Sequence, residues 1–112
     1  MKIRKMTEED VPTIISYGQQ MHEESYFKHF NFSEEKLWVL WEQIKTHQTY
    51  CALVAENVDG KLVGFFVGFI NEHWFGTDKV TCDLALYVIK EFRGSSAALR
   101  LMKAYEKWGF MA

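Results

Sequence analysis

Proline occurs once in the 112 residues, at Pro12, and cysteine twice, at Cys51 and Cys82. No repeat, linker or low-complexity tract interrupts the chain. With 48% hydrophobic and 25% charged residues, disordered and collagen-like classes are excluded. The two cysteines belong to no Cys-x-x-Cys, and no Cys/His spacing fits a zinc site. Both lie in apolar, strand-like runs. Two reduced thiols of a cytoplasmic protein fit that placement, and one disulfide across two strands is the other reading. Cations do not outnumber anions: 13 Lys and Arg stand against 15 Asp and Glu, a net charge of −2. No strongly basic face is forced, so no nucleic acid is expected as a partner. The longest apolar run, residues 62–70, is too short to span a bilayer and contains two glycines. Residues 1–6 lack an apolar core of signal-peptide length. A soluble, cytoplasmic protein with no membrane contact is expected.

What the chain has in excess is rings: 16% aromatic, with nine Phe, five Tyr and four Trp. Its length suits one domain, residues 1–112, with one core of large rings or a platform for an apolar ligand. Residues 2–6 alternate as a first strand. Thr7 followed by Glu8, Glu9 and Asp10 opens a helix that Val11, Ile14 and Ile15 carry to about Gln20. Residues 22–32 have no clean period and read as a ring-rich loop holding Tyr26, Phe27, Phe30 and Phe32. Ser33 caps a second helix ending near His47, with Leu37, Trp38, Leu40, Trp41 and Ile44 on one face. Residues 50–56 and 61–70 form a hairpin around Asp59-Gly60. Residues 80–89 make a further strand with Leu84, Leu86 and Val88 on one face. A final helix opens at Ser95 or Ser96 and buries Ala98, Leu101, Met102, Tyr105 and Trp108. The order strand, helix, helix, three strands, helix is α+β with a mostly antiparallel sheet and helices on both faces.

Residues 84–105 carry the chemistry. A strand enters a short turn of small residues, and an amphipathic helix leaves it. Gly94, Ser95, Ser96, Ala97 and Ala98 have little side chain, so a phosphate can approach the unpaired N–H groups of the first helical turn. Lys90, Arg93, Arg100 and Lys103 make the segment basic, with Glu91 alone opposing. The plainer reading is a glycine stop, two serine caps and alanines that pack the helix on the sheet.

Arg93-Gly94-Ser95-Ser96-Ala97-Ala98 resembles the Arg/Gln-x-x-Gly-x-Gly/Ala signature of the GNAT (GCN5-related) acyl-CoA N-acyltransferases. Leu86-Tyr87-Val88 is similar to the strand end before that signature. Arg93 and Ala98 match, and Ser96 stands where the signature has its central glycine. The order of elements fits over almost the entire chain. The resemblance implies a GNAT-like fold and an acetyltransferase that moves an acetyl group from acetyl-CoA, with no metal, to a small-molecule or protein amine. Backbone groups of Leu86, Tyr87 and Val88 would then bind the pantetheine arm as an added strand. The amides from Gly94 to Ala98 would bind the pyrophosphate, and Arg93 would add charge or shape the turn.

Two carboxylates are candidate catalytic groups. Asp83 would be the base, on the face of Ala85, where many members of the family carry a glutamate. Glu24, with Glu23, lies in the loop between the first two helices and would bind a cationic acceptor or relay its proton. A solvated strand-end residue and solvated loop charges are the plainer readings. His22, His29 and His73 are further candidate bases, and surface polarity is the plainer reading for each. Tyr26, Phe27, Phe30 and Phe32 line an acceptor pocket or close the core, the latter preferred for at least two. Trp38 and Trp41 are core, and Trp74 and Phe75 are exposed. In the family a fifth strand, a fourth helix and two more strands follow the third helix. Their absence here implies an open edge on the fourth strand, with two outcomes: a shortened member or a fragment, inactive or weak, or a second chain over the edge, for which a homodimer joined there is the economical solution. The alternative reading is a catalytically inactive GNAT-fold module that binds CoA or a protein.

Overall fold

The structure, a computed structural model, describes residues 1–72 and 75–111, and the side chains of all of these except Phe27 and Met111. His73 and Trp74 therefore lie outside the described residues. The chain runs β1 (Lys2–Lys5), α1 (Val11–Glu24), α2 (Glu34–Thr46), β2 (Tyr50–Glu56), β3 (Leu62–Glu72), β4 (Lys79–Val88) and α3 (Ala97–Met111). Short 3-10 turns stand at Glu8–Asp10, Tyr26–His29 and Lys90–Phe92.

The entry to α1 is built as a closed polar unit. The Thr7 N–H and hydroxyl both donate to Asp10 Oδ2, at 2.8 and 3.1 Å. Arg4 donates to both oxygens of Asp10, at 2.8 and 2.9 Å, and also to Glu56 at 3.0 Å. Asp10 is buried, and these partners are what permit it. Glu8 ties α2 to the same turn, accepting from Trp41 Nε1 and Lys45 Nζ. Ser33 caps α2 as expected, accepting from the Lys36 N–H. In the hairpin turn the Asn57 side chain accepts from the N–H groups of Asp59 and Lys61, and Gly60 takes the positive φ of +82° that the turn requires.

The four strands pair in chain order, every pair antiparallel. Consecutive residues of β3 show where the helices sit. Phe66 stacks on Tyr105 of α3 at 4.3 Å between ring centroids. Phe65 faces Tyr87, whose hydroxyl reaches α1. Because alternate side chains point to opposite faces, α1 and α3 cover opposite faces of one sheet. The core is the middle of β2 and β3 with Val11, Ile15, Trp41, Leu101 and Tyr105.

Several expectations change. The buried stripe of α3 is Ala97, Leu101 and Tyr105, flanked by Ala98, Ala104 and Trp108, while Met102 is exposed. Of the stripe expected, Ala98, Leu101, Tyr105 and Trp108 do pack on the core, Met102 does not, and Ala97 joins them. Among residues 22–32, α1 continues to Glu24, Tyr26 is 96% and Phe30 68% exposed, and Phe32 packs on the core against His22. Trp41 is buried and Trp38 packs on the core. Phe75 is exposed. Cys51 and Cys82 are free thiols. Cys51 sits opposite Gly68 on the α3 side, and Cys82 sits opposite Phe69 on the other, so no disulfide joins them. Burial pushes the Cys51 thiol up to about 11, which keeps it protonated. Among the described residues no helix is long and apolar enough to cross a membrane.

Gly68 lies directly beneath the Tyr105 ring, where a Cβ would overlap the phenol. Gly68→Ala must displace a buried, stacked ring, and a loss of about 1–3 kcal/mol is expected from overpacking, measured as a lower denaturant midpoint. Arg4, by hydrogen bonding, holds the Asp10 carboxyl below the usual carboxylate range. A depressed native pKa stabilises above the ordinary value, and the gain is lost as pH falls through the native one. The unfolding temperature should therefore drop below about pH 4, and the drop should be shallower in Asp10→Asn.

Candidate functional site

The phase at the end of β4 follows from one hydrogen bond. The Ile89 N–H donates to the Val63 carbonyl, so Val88 and Gly64 form a pair whose own main-chain groups point away from each other. Leu86 shares that phase, and its N–H and C=O face the outer edge of the sheet. Tyr87 does not. Its main chain is turned to Phe65 of β3, so of the three residues expected to offer backbone groups, only Leu86 and Val88 do.

A register shift interrupts this pattern. Val67 pairs with Ala85 and the next residue, Gly68, pairs with Asp83, which leaves Leu84 as a bulge. Leu84 is therefore exposed, not aligned with Leu86 and Val88 in the core. The same extra residue moves Asp83 off the face of Ala85. Ala85 shares the face of Tyr87 and α1, whereas Asp83 points to the α3 side, beside Met102, Tyr105 and Glu106. Asp83 is exposed there.

Arg93 closes the end of β4. Its Nε donates to the Val88 carbonyl at 2.9 Å. Its two Nη atoms donate to the two carboxylate oxygens of Glu24, at 3.1 and 2.9 Å, and its guanidinium lies over the Tyr87 ring at 5.2 Å. The Tyr87 hydroxyl donates to the same carboxylate at 2.8 Å. Glu24 and Glu23 are thus in the last turn of α1, not in a loop. The Arg93 guanidinium first, and the Tyr87 hydroxyl second, hold the Glu24 carboxyl below its ordinary range. Desolvation and the adjacent carboxylate raise Tyr87. Glu24 is a poor proton acceptor in this setting, and its charge is matched by Arg93. Arg93 shapes the turn; its cation is not free. Glu24 and Asp83, the two candidate bases, lie on opposite faces of the sheet and are not brought together. His22 stands in α1 and His29 in the following 3-10 turn. The buried His22 Nε2 has no hydrogen-bond partner among the described residues.

Past Arg93 the chain turns through Gly94 at φ +94°, a left-handed conformation with open space where a Cβ would stand. Two of the five amides are engaged. The Ser95 N–H donates to the Phe92 carbonyl, and the Ala97 N–H donates to the Ser95 hydroxyl. No acceptor among the described residues takes the N–H groups of Gly94, Ser96 or Ala98. Three amides thus remain for an anion at the positive end of a fifteen-residue helix. Among the described residues no group of His, Cys, Asp and Glu gathers to hold a metal.

The Glu24–Arg93 junction joins residues 69 apart in sequence, which is why no spacing rule marks it. Tyr87 was visible as a backbone contributor only; its side chain is the third member. A mutant cycle checks the unit. Glu24→Gln, Arg93→Ala and the double variant should show strongly non-additive thermal destabilisation, the double losing no more than Arg93→Ala alone.

With this geometry in view, the family model described as Acetyltransferase (GNAT) family matches residues 16–111. Comparison with curated protein sequences gives no match. Among solved structures, the chain is similar to AAC(6')-Iy in complex with a bisubstrate analogue, CoA-S-monomethyl-acetylneamine. The TM-score is 0.80 at 19% identity, over 97% of this chain and 71% of that one. It is also similar to glucosamine-6-phosphate N-acetyltransferase from Arabidopsis thaliana, with a TM-score of 0.74 at 18% identity, over 96% and 72%. A protein from Bacillus halodurans aligns with a TM-score of 0.83 at 18% identity, over 99% and 76%. These likenesses establish the fold, and the match over residues 16–111 establishes the family: the chain belongs to the GNAT acetyltransferases.

Proposed function

We propose that this chain binds acetyl-CoA and transfers its acetyl group to an amine. The observation that carries the reading is the set of free N–H groups at Gly94, Ser96 and Ala98, placed next to an open strand edge at Leu86 and Val88. A diphosphate fits the first and an amide-bearing arm fits the second. The residues suit that ligand, because Gly94, Ser96 and Ala98 leave their amides accessible and Gly94 adopts a φ that bulkier residues avoid. The donor supplies a thioester, an acyl group already activated for attack.

The chain's part is to hold and orient. Leu86 would align the arm through its main chain, and the outward-turned Val88 N–H would donate to the oxygen on which negative charge develops. Arg93 holds the Val88 carbonyl and so fixes that strand end. The attacking amine nitrogen forms a bond to the acyl carbon, the carbon–sulfur bond breaks with its electron pair leaving on the CoA thiolate, and the amine's proton passes to a base. Of the two candidate carboxylates, Asp83 is exposed and makes no hydrogen bond to a described residue, while Glu24 is committed to Arg93 and Tyr87. Asp83, acting through water, is the better base.

Titration calorimetry with CoA and acetyl-CoA tests the site. Binding by the wild type, and a loss of more than about tenfold (~1.4 kcal/mol) in Ala98→Glu, supports it. No binding, or unchanged binding in that variant, overturns it. Labelled acetyl-CoA with a panel of amines then separates transfer from binding alone: turnover that falls in Asp83→Asn supports the base.

A further inference from the structure

The peptide unit that joins Tyr87 to Val88 carries the Val88 N–H, and a closed circuit of hydrogen bonds runs around it. The Val88 carbonyl accepts from Arg93 Nε at 2.9 Å. The two Nη atoms of Arg93 donate to the two oxygens of Glu24, at 3.1 and 2.9 Å. The circuit returns through the Tyr87 hydroxyl, which donates to Glu24 Oε2 at 2.8 Å. Tyr87 is buried, and its ring packs beside Phe65 of β3, so it is the anchored member. The other two are less enclosed: the Arg93 and Glu24 side chains are each 41% exposed. At that exposure water competes for the guanidinium, and one bond from Nε does not by itself hold so long a side chain in place. The carboxylate does, because two parallel bonds to the planar fork fix its orientation as well as its position.

We infer that Glu24 is a positioning residue for acetyl transfer: by holding Arg93 on the Val88 carbonyl, it keeps the Val88 N–H aimed at the developing oxyanion. This role rests on the acetyl-transfer reading given above. The N–H and C=O of one strand residue point to the same side, so a group that holds the Val88 carbonyl also sets the direction of its N–H. A donor aimed at charge that appears only in the transition state changes turnover and leaves ground-state binding alone. Glu24 has a second, opposite effect. It neutralises the Arg93 cation one residue before Gly94, whose N–H is among the three without an acceptor. The carboxylate thus weakens attraction for an anionic donor while it secures the placement of the Val88 N–H. Its loss should move donor affinity and turnover in different directions.

The test measures both quantities in variants of the full chain. By titration calorimetry, Glu24→Gln should bind CoA as tightly as the wild type or more tightly. Its kcat should fall about tenfold, less than the roughly 10²–10³-fold that outright loss of an oxyanion donor costs. Turnover is read with labelled acetyl-CoA and whichever of a set of primary alkylamines, diamines and lysine peptides the wild type acetylates fastest. In the Arg93→Ala background, Glu24→Gln should lower kcat no further. Tyr87→Phe keeps the ring and removes one hydrogen bond to the carboxylate. It should lower kcat by a smaller factor with CoA affinity held, and it carries the test if circular dichroism shows Glu24→Gln unfolded. Unchanged turnover in these variants, a parallel loss of kcat and CoA affinity such as general loosening gives, or a further fall on top of Arg93→Ala would each overturn the inference and leave the wild type's donor site standing. A wild type that binds CoA and acetylates nothing removes the transfer reading and this role with it, and one that binds no CoA removes the donor site as well.

Discussion

Leu84, a single extra residue in β4, sets what this chain can offer to another molecule. In an uninterrupted strand, main-chain groups of one phase recur every second residue, so Asp83 and Leu86 cannot both face outward. The bulge permits it. Five residues of β4, at 79, 81, 83, 86 and 88, turn their N–H and C=O groups outward, in two stretches separated by the irregularity, the Val88 carbonyl being taken by Arg93. The side chains follow the same rule. Tyr87 and Ala85 belong to the α1 face, and Asp83, Thr81 and Lys79 to the α3 face. A strand without the bulge would move one of these sets to the wrong side of the sheet.

The second constraint is the Arg93 junction, which joins the end of β4, the last turn of α1 and the turn leading to α3. Each partner meets a need of the others. The Val88 carbonyl is at the edge and needs a donor. The guanidinium needs an anion, and the fork geometry suits a bidentate carboxylate. The consequence is electrostatic. Because Glu24 neutralises Arg93, the anion site proposed beyond it would depend on main-chain amides and the helix dipole, each worth about 0.3–1 kcal/mol at an exposed terminus. Such a site reads shape and proximity before net charge, in keeping with a chain whose formal charge is −2.

Much of the fold was legible. Ser33 caps α2, Asn57 to Gly60 close the hairpin, and the small residues from Gly94 to Ala98 stand at the start of α3, because caps and turns are satisfied within a few residues of chain. Leu84, Asp83 and Glu24 were misplaced for a common reason. Alternation in a sequence has no mark for a bulge, and α1 extends to Glu24 because its last turn gains Arg93 and Tyr87, partners more than 60 residues away.

The sequence by itself determined the elements, their order and the composition of the turn after β4, since propensity, capping and period are local properties. Tertiary structure alone decided which of those groups stay free. Whether an amide at Gly94 or Ser95 has a partner, whether Glu24 is a base or a counter-ion, and which side of the sheet Asp83 occupies all depend on what lies within about 3 Å in space. That distance is crossed by residues far apart in the chain.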